Sequence, residues 1–204
     1  MSVTSKELIE ERRDEIMAAC EQLYQTMSFK EITIREIGKI TPFGRTSIYN
    51  YFQTKEEIFL AILQREYDLW ADDLKAVCDA DRLTNGALAE ALSHTIEKRV
   101  LMLKLLAMNM YDIEENSDIE KLKQFKHSYK NCLDMLLSVL EKHRPDMTDK
   151  DRDGFMYSLL PFLFGVYPYC HVMDKQKQAM DEIGFDYPSY TVYELVFGFI
   201  SKLL

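Results

Sequence analysis

The stretch ITPFGRTSIYNYFQTKEE, residues 40–57, differs in charge from the rest of the chain. The chain of 204 residues contains 34 acidic and 25 basic side chains, which gives a net charge of −9. Residues 37–55 nevertheless contain no acid and three bases, Lys39, Arg45 and Lys55. A net charge this negative argues against a protein that coats nucleic acid through its overall electrostatics. The local excess of bases therefore indicates a localised role.

A short helix is predicted just before this stretch, over residues 33–40. Thr33 and Glu36 have the spacing of a capping box, in which a hydroxyl and a carboxylate each bond to the backbone N–H of the other residue. The turn at residues 41–44 ends this helix, because Pro42 has no N–H and its ring clashes with the preceding turn.

A second short helix is predicted from about Arg45 to Phe52, and a long helix follows it. Thr54 and Glu57 again have capping-box spacing, which predicts the start of a helix that runs to about Asp79. Two short helices joined by a tight turn and flanked by longer helices form a helix-turn-helix. The residues predicted to hold it together are the apolar Ile34, Ile37, Ile48 and Phe52, with Gly38 leaving room where the short helices cross.

The rest of the chain also has helical periodicity, and no run alternates for long enough to predict a strand. We therefore expect an all-α protein with a three-helix N-terminal head. The predicted helices outside the head's central pair lie at residues 5–27, 84–96, 98–110, 118–143, 148–170 and 190–203, with a weaker one near 174–182.

The predicted helix at residues 148–170 is polar in its first turn and then apolar nearly all round. A helix that is apolar on every side must be covered on every side, and in a domain of this size we expect a second subunit to cover one face. The alternative is that this helix and the one at residues 190–203 only complete a monomer core. The candidate dimer residues are Phe162, Gly165, Val166, Leu195 and Phe199.

No pattern in the chain indicates an enzyme, a metal site or a membrane protein. The four cysteines form no C-x-x-C pair and the four histidines lack metal-ligand spacing, so we expect no metal and no cofactor. No paired acids or nucleophile–base pair suggest catalysis. The longest apolar run, residues 159–169, is too short to span a bilayer, and no leader peptide is evident. We expect a cytoplasmic protein.

The run FKEITIREIGKITPFGRTSIYNYFQTKEEIFLAIL, residues 29–63, resembles the N-terminal domain of the tetracycline-repressor (TetR) family of bacterial regulators. The similarity lies in the Thr-Ile-Arg-Glu-Ile start, the Ser-Ile-Tyr-Asn-Tyr-Phe helix and the Lys-Glu-Glu opening of the next helix. This chain departs from the family where Pro42 replaces a usual Gly and Gly44 a usual Ser or Thr.

The resemblance implies a DNA-binding head at residues 1–55 and an effector-binding and dimerisation domain at residues 56–204. It implies a homodimer that binds palindromic double-stranded DNA, most simply a repressor that a small effector releases. The alternative is a helical protein–protein adaptor that uses its helix-turn-helix as an interaction module.

The chemistry of the second short helix suits the major groove. Arg45 is long enough to contact O6 and N7 of a guanine together, and Asn50 suits an adenine or a phosphate. Short hydroxyl side chains and Lys55 suit phosphates, as does a helix N-terminus. The methyl group of Thr46 is an alternative contact for a thymine. The resemblance assigns the two tyrosines to phosphates, with a thymine methyl as an alternative for Tyr49. The predicted DNA contacts are Thr33, Arg45, Thr46, Ser47, Tyr49, Asn50, Tyr51 and Lys55.

The resemblance also implies a small-molecule pocket in the C-terminal domain. Its many methionines and tyrosines fit a mostly apolar, adaptable cavity with a few hydroxyl groups. Ordinary core packing is the alternative for each candidate. The candidate lining residues are Tyr67, Trp70, Met102, Leu106, Met110, Tyr111, Phe125, Tyr129, Phe155 and Leu159.

Overall fold

The structure is a computed structural model that describes residues 5–204, and in this part of the chain every regular element is a helix. This confirms the predicted all-α class. No helix among the described residues is both long and apolar enough to cross a membrane. The ten helices are α1 (Ser5–Thr26), α2 (Ile34–Ile40), α3 (Arg45–Ile48), α4 (Lys55–Asp79), α5 (Asn85–Glu97), α6 (Val100–Glu115), α7 (Ile119–His143), α8 (Asp149–Cys170), α9 (Asp174–Glu182) and α10 (Val192–Leu203).

Helix α3 is shorter than predicted, because it ends at Ile48 rather than at Phe52. A longer helix would require the backbone N–H of Gln53 to bond to the carbonyl of Tyr49. That N–H instead donates to the Glu57 carboxylate at 2.8 Å, and the side-chain Nε2 of Gln53 donates to Tyr49 O at 2.7 Å. The residues after Ile48 therefore form a tight turn rather than a further turn of α-helix.

Helix α6 is longer than the predicted span of residues 98–110. A turn separates it from α5, with the backbone N–H of Arg99 donating to Ile96 O at 2.9 Å. At its far end the side chains of Asn116 and Ser117 donate to carbonyls of the last turn, at 2.9 and 2.7 Å. Such local side-chain bonds satisfy carbonyls that a continuing helix would use, and so favour termination there.

The described residues form two compact units. The first contains the residues up to Arg65 together with Asn109–His127. Its interior is an aromatic and aliphatic cluster in which the ring of Tyr24 meets that of Phe59 edge-on, with centroids 5.1 Å apart. The Tyr24 hydroxyl also donates to Asn109 Oδ1 at 2.6 Å. The predicted boundary after residue 55, between a DNA-binding head and an effector-binding domain, stays a prediction.

The second unit contains Glu66–Met108 and Ser128–Leu204. Its centre includes the buried Trp70, whose Nε1 donates to Thr95 Oγ1 at 2.9 Å. Near the end of α4, the buried His143 accepts a hydrogen bond from the backbone N–H of Leu83 at Nδ1 and contacts Val77 O through Nε2, at 3.1 and 2.9 Å. These contacts join α7 to the end of α4 and to the α4–α5 connection.

Helices α8 and α10 begin in the same way. Thr148 with Asp151, and Thr191 with Glu194, each form a complete capping box. The two helices are neighbours in the second unit, as the sequence predicts: the rings of Phe162 and Phe199 stack with centroids 4.0 Å apart.

Candidate nucleic-acid interface

The start of α2 is capped, although by half of the predicted capping box. Thr33 Oγ1 accepts a hydrogen bond from the backbone N–H of Glu36 at 3.2 Å. The Glu36 carboxylate does not return the bond but accepts from Lys39 Nζ at 2.6 and 2.8 Å. The prediction of a reciprocal box was therefore wrong in its second bond, because a lysine three residues on competes for the carboxylate.

The turn between α2 and α3 is built from extended backbone. Thr41 has φ −84° and ψ 151°, the conformation favoured before a proline, and Gly44 has φ −71° and ψ 170°. Thr41 Oγ1 donates to Phe43 O at 2.6 Å and ties the turn together. In the described part of the chain only Gly184 has a positive φ, so this turn needs no left-handed residue. Pro42 is therefore accommodated without strain.

Gly38 is the point of closest approach between α2 and α3. A Cβ atom at this position would lie 3.0 Å from the backbone N of Arg45 and 3.1 Å from its Cα. Both neighbours are backbone atoms at the start of α3. This confirms the prediction that Gly38 leaves room where the short helices cross.

The exposed surface of α3 and of the turn after it carries the candidate base-reading residues. Arg45, Thr46 and Asn50 are exposed, while Ile48 and Phe52 are buried beneath them. The Arg45 guanidinium donates to the Tyr49 hydroxyl at 3.3 Å, and its Cζ lies 5.6 Å from the Tyr49 ring centroid. The tyrosine thereby orients the arginine before any ligand binds. Three further candidates, Ser47, Tyr49 and Tyr51, are half-buried.

Two arginines of α1 that were not predicted as functional residues support this region. Arg12 Cζ lies 5.0 Å from the ring centroid of Phe43 in the turn, and Arg13 Cζ lies 4.6 Å from that of Phe52. The signal in the sequence was a pair of adjacent bases in a helix that carries six acids and one other base, Lys6.

Lys55 has partners within its own chain. Its Nζ donates to the carbonyl of Phe29 at 2.6 Å and lies 4.3 Å from the centroid of the Phe29 ring. The Phe29 ring in turn packs on Phe59, with centroids 4.8 Å apart. The ammonium group therefore holds the α1–α2 connection against the first turn of α4. The predicted phosphate contact by Lys55 stays a prediction.

A Gly44→Ser substitution is expected to stabilise the first unit. Gly44 is the N-cap of α3 without a side-chain cap bond, its backbone is extended, and nothing lies within 4 Å of an added Cβ. A serine there supplies a cap and reduces the freedom of the unfolded chain, gains of about 0.4–1 kcal/mol in total. Urea denaturation followed by circular dichroism measures the change, and a lower midpoint for the variant would contradict it.

The candidate effector residues divide between the two units. In the second unit, Tyr67 packs beside Trp70. The ring of Tyr67 also meets that of Tyr129 edge-on, and the centroids of these two rings are 5.1 Å apart. In the first unit, Phe125 is fully buried and Tyr111 is 81% exposed. Of the remaining candidates, Met102, Leu106, Phe155 and Leu159 are buried in the second unit and Met110 is half-buried in the first.

A cavity of about 720 Å³ lies elsewhere in the second unit, and none of the candidate effector residues lines it. It opens beside the end of α8 and α9, and its walls include Tyr169, His171, Lys177, Met180 and Phe185. The position of the effector pocket therefore stays a prediction.

Two further predictions concern cysteines and metals. Burial raises the pKa of the Cys20 and Cys132 thiols, so both are protonated core residues. Among residues 5–204, no three His, Cys, Asp or Glu side chains are grouped so that they would hold a metal ion.

The candidate dimer residues lie on α8 and α10 in the second unit. Phe162 and Phe199 stack on each other, Gly165 and Leu195 are half-buried, and Val166 is buried within its own chain. No described atom approaches within 4 Å of a Cβ built at Gly165 or at Gly198 on α10. Three large side chains of α8 are exposed and were not among the predicted dimer residues: Tyr157, Phe164 and Tyr169.

Two family sequence models match the chain. The one described as "Bacterial regulatory proteins, tetR family" matches residues 16–62, which include α2, α3 and the turn between them. The one described as "Tetracyclin repressor-like, C-terminal domain" matches residues 64–192, more than half of the chain. No curated protein matches the sequence.

Several solved structures share the fold. A transcriptional regulator of the TetR/AcrR family from Thermobifida fusca superimposes with a TM-score of 0.62 at 17% identity, covering 95% of this chain and 96% of that one. The fatty acid degradation regulator FadR from Bacillus halodurans gives 0.59 at 18% identity, with 95% and 94% covered. A TetR transcriptional regulator from Rhodococcus sp. RHA1 gives 0.57 at 13% identity, with 96% and 97% covered. At these identities the similarity establishes the fold.

Proposed function

The chain belongs to the TetR family of bacterial regulatory proteins, and from this membership we propose that it is a repressor that binds a palindromic operator as a homodimer. A small, mostly apolar effector releases it from the operator. Family membership makes the chain a DNA-binding transcriptional regulator. The proposal adds three points: the chain acts as a repressor, it forms a homodimer, and it binds a small effector.

The observation that carries the proposal is the exposed surface formed by α3 and the turn after it. Three side chains that suit the major groove, those of Arg45, Thr46 and Asn50, are exposed over a buried apolar base. Arg45 is already oriented by Tyr49 and has the reach for a guanine, and Asn50 has the amide geometry for an adenine. Base contacts of this kind specify sequence, whereas phosphate contacts fix the position of the head.

We propose that contacts to DNA phosphates surround this face. The residues assigned to them carry short hydroxyl groups, phenol groups or an ammonium group. The N-terminus of α2 adds the positive end of a short helix. The proposed phosphate contacts are Thr33, Ser47, Tyr49, Tyr51 and Lys55.

The dimer is proposed to form through α8 and α10. Tyr157 and Phe164 are exposed on α8, and open space adjoins Gly165 and Gly198. Exposed apolar surface of this kind is typical of a protein–protein interface. A two-fold dimer reads two half-sites that lie about 34–36 Å apart, one helical turn of DNA.

Release is proposed to follow from a population shift. An effector that binds better to a dimer with a different spacing of its two heads lowers the share of DNA-competent dimers, by no more than its difference in affinity for the two states. Helix α4 begins directly after the helix-turn-helix at Lys55 and continues to Asp79, so it is the proposed lever between effector and head.

Selection of a preferred site from a pool of random duplexes tests the proposal. We expect a palindromic consensus, bound by two chains, whose affinity exceeds that for random DNA by at least about 10³-fold at physiological salt. Binding without sequence preference at moderate salt would contradict the regulator and favour the protein–protein adaptor.

A Lys55→Met substitution separates two roles of this residue. The methionine keeps an apolar stem beside the Phe29 ring and removes the charge. If Lys55 contacts a phosphate, as proposed, the slope of log affinity against log salt falls by about 0.9 for each half-site, because fewer counterions are released on binding. Fluorescence anisotropy over a range of salt concentrations measures this slope. An unchanged slope with a lower melting temperature would assign the ammonium to the Phe29 carbonyl alone.

A further inference from the structure

The first turn of α4 is bonded to the segment that precedes it. Glu57 lies in this turn and is buried, with 6% of its surface exposed. Its carboxylate accepts the backbone N–H of Gln53 at 2.8 Å, while its own N–H donates to Thr54 Oγ1 at 3.2 Å. The positive end of the helix dipole stabilises a carboxylate at this position, and a carboxylate accepts stronger hydrogen bonds than a neutral oxygen does. Glu57 therefore ties α4 to the turn that follows α3.

This bond departs from the capping box that the sequence predicts at Thr54 and Glu57. In a complete box the carboxylate accepts the N–H of the N-cap residue of its own helix. The acids in the first turns of α8 and α10 do this. The carboxylate of Glu57 instead reaches one residue further back, to Gln53. Its effect therefore falls on the chain that leaves α3 rather than on the cap of α4.

Gln53 completes the connection with its side chain. Its Nε2 donates to Tyr49 O at 2.7 Å and takes the place that the backbone N–H of the same residue would have in a continuing helix. The N–H groups of Asn50 and Tyr51 bond to carbonyls three residues back, at 3.2 and 2.9 Å, as in a 3₁₀ turn. Residues 49–53 thus form a tight turn, and the two bonds of Gln53 fix its end.

Two conformations compete for this segment. If the N–H of Gln53 donates to Tyr49 O, α3 continues through Phe52, as the sequence predicts. If it donates to a side chain outside the helix, α3 ends at Ile48, as the structure shows. Local side-chain acceptors of this kind are known to compete with helical bonds. An acceptor on α4 therefore selects the length of α3.

The length of α3 matters for DNA reading because Asn50 and Tyr51 lie beyond its end. In a continuous helix of about 3.6 residues per turn, Arg45 and Asn50 would project in directions set by that period. The tight turn gives Asn50 a different direction relative to Arg45. Both side chains have to reach base edges of one half-site at the same time. The residue that ends α3 therefore sets the relative placement of the two proposed base readers.

We propose that Glu57 is a positioning residue for sequence-specific DNA binding. Through its bond to the Gln53 N–H it ends α3 at Ile48, and it thereby places Asn50 relative to Arg45. Glu57 is buried and acts without touching DNA. This inference rests on the proposed function, to which it adds a residue outside the recognition surface.

Two variants of similar size test this role. Glu57→Met removes the acceptor, whereas Glu57→Gln keeps one, because an amide oxygen accepts the same N–H. Both variants lose the charge, so its effect on the start of α4 is common to them. We expect Glu57→Met to lower affinity for the selected operator by at least about tenfold, as the loss of a hydrogen bond to a charged group does. Its affinity for random DNA is expected to stay within about twofold of wild type, and Glu57→Gln to bind both duplexes within about threefold.

Glu56→Gln is the matched control for the charge. It lies in the same turn of α4, and its side chain is not the acceptor of the Gln53 N–H. We expect it to leave the ratio of operator affinity to random-DNA affinity unchanged. A changed ratio for this variant, equal to that for Glu57→Met, would assign the effect to charge and overturn the positioning role.

Nuclear magnetic resonance on the full chain follows the conformation directly. In Glu57→Met the Cα chemical shifts of residues 49–52 are expected to move towards helical values, and in Glu57→Gln they are expected to match wild type. A loss of stability alone does not produce such a local change. If Glu57→Met fails to fold, an ester in place of the Gln53 backbone amide removes the same donor and leaves the core side chains intact. It is expected to show the same loss of operator affinity.

The outcomes separate this inference from the proposed function. A wild-type chain without sequence preference overturns both. A wild-type chain that selects a palindrome, with Glu57→Met binding it as well as Glu57→Gln does, keeps the proposed function and overturns the role of Glu57. Equal losses by Glu57→Met on operator and random DNA, with unchanged Cα shifts at residues 49–52, assign Glu57 to stability alone and also overturn the inference.

Discussion

A Gly38→Val chain is expected to lose specific DNA affinity by about a hundredfold while it keeps its helical content. The loss follows from overpacking, which costs about 1–3 kcal/mol in a closely packed site, and a dimer contains two such sites. Both α2 and α3 can still form, but they cannot cross at their present distance.

The geometry at Gly38 makes the effect specific. The Cβ of any other residue meets the backbone N and Cα of Arg45 at 3.0 and 3.1 Å. Backbone atoms do not rotate away as the end of a flexible side chain does. The start of α3 must therefore shift, and it carries Arg45 and the residues that follow, which have to reach base edges. Displacement of this helix by even a few tenths of an ångström alters bidentate contacts that depend on angle and distance.

Gly44→Ala is the matched control for Gly38→Val. It lies at the other end of the same turn, at φ −71°, with nothing within 4 Å of an added Cβ. We expect it to leave operator affinity within about threefold of wild type, since removing glycine from a permitted conformation changes stability by less than about 1 kcal/mol. Gel-shift titrations of both variants and wild type on the selected operator measure the difference. Equal affinities for Gly38→Val and wild type would contradict the close crossing.

The helix-turn-helix was predictable because its signals are local. Thr33, Pro42 and Thr54 each act on the backbone within a few residues, so their effects are readable from spacing alone. The end of α3 was not predictable in this way. The N–H of Gln53 could donate either to the carbonyl of Tyr49 or to the carboxylate of Glu57, and the sequence is compatible with both bonds. In the structure it donates to Glu57, so α3 ends earlier.

The C-terminal predictions differ for a physical reason. Helical periodicity identifies apolar faces, so all the helices of this part were found, including α9. Periodicity does not distinguish a residue that lines a cavity from one that fills a core. Tyr67 and Trp70 have the same pattern in either case, and in the structure they pack on each other. Periodicity also did not predict that Ile183 and Phe185, which follow α9, are exposed.

Arg45→Ala is expected to weaken discrimination between the operator and random DNA strongly. A bidentate arginine–guanine contact contributes about 1–3 kcal/mol of discrimination, and a palindrome contains two of them, so specific affinity falls by about 30-fold to 10⁴-fold. Nonspecific affinity falls much less, because only one charge per head is lost. The guanidinium is exposed and rests on Tyr49, so its removal leaves the core of the first unit intact.

Arg45→Lys distinguishes base reading from phosphate binding. Lysine keeps the positive charge but cannot present two parallel N–H donors to O6 and N7 of one guanine. If Arg45 reads a base, the lysine variant loses nearly as much specificity as the alanine variant, while its salt dependence stays that of wild type. If Arg45 binds a phosphate, the lysine variant keeps its specificity. Only the alanine variant then shows a smaller slope of log affinity against log salt, by about 0.9 for each head. Anisotropy titrations on the operator and on a duplex with one guanine changed separate the two. Equal operator affinity for Arg45→Ala and wild type would remove Arg45 from the interface altogether, and would leave Thr46 and Asn50 as the exposed residues proposed to read bases.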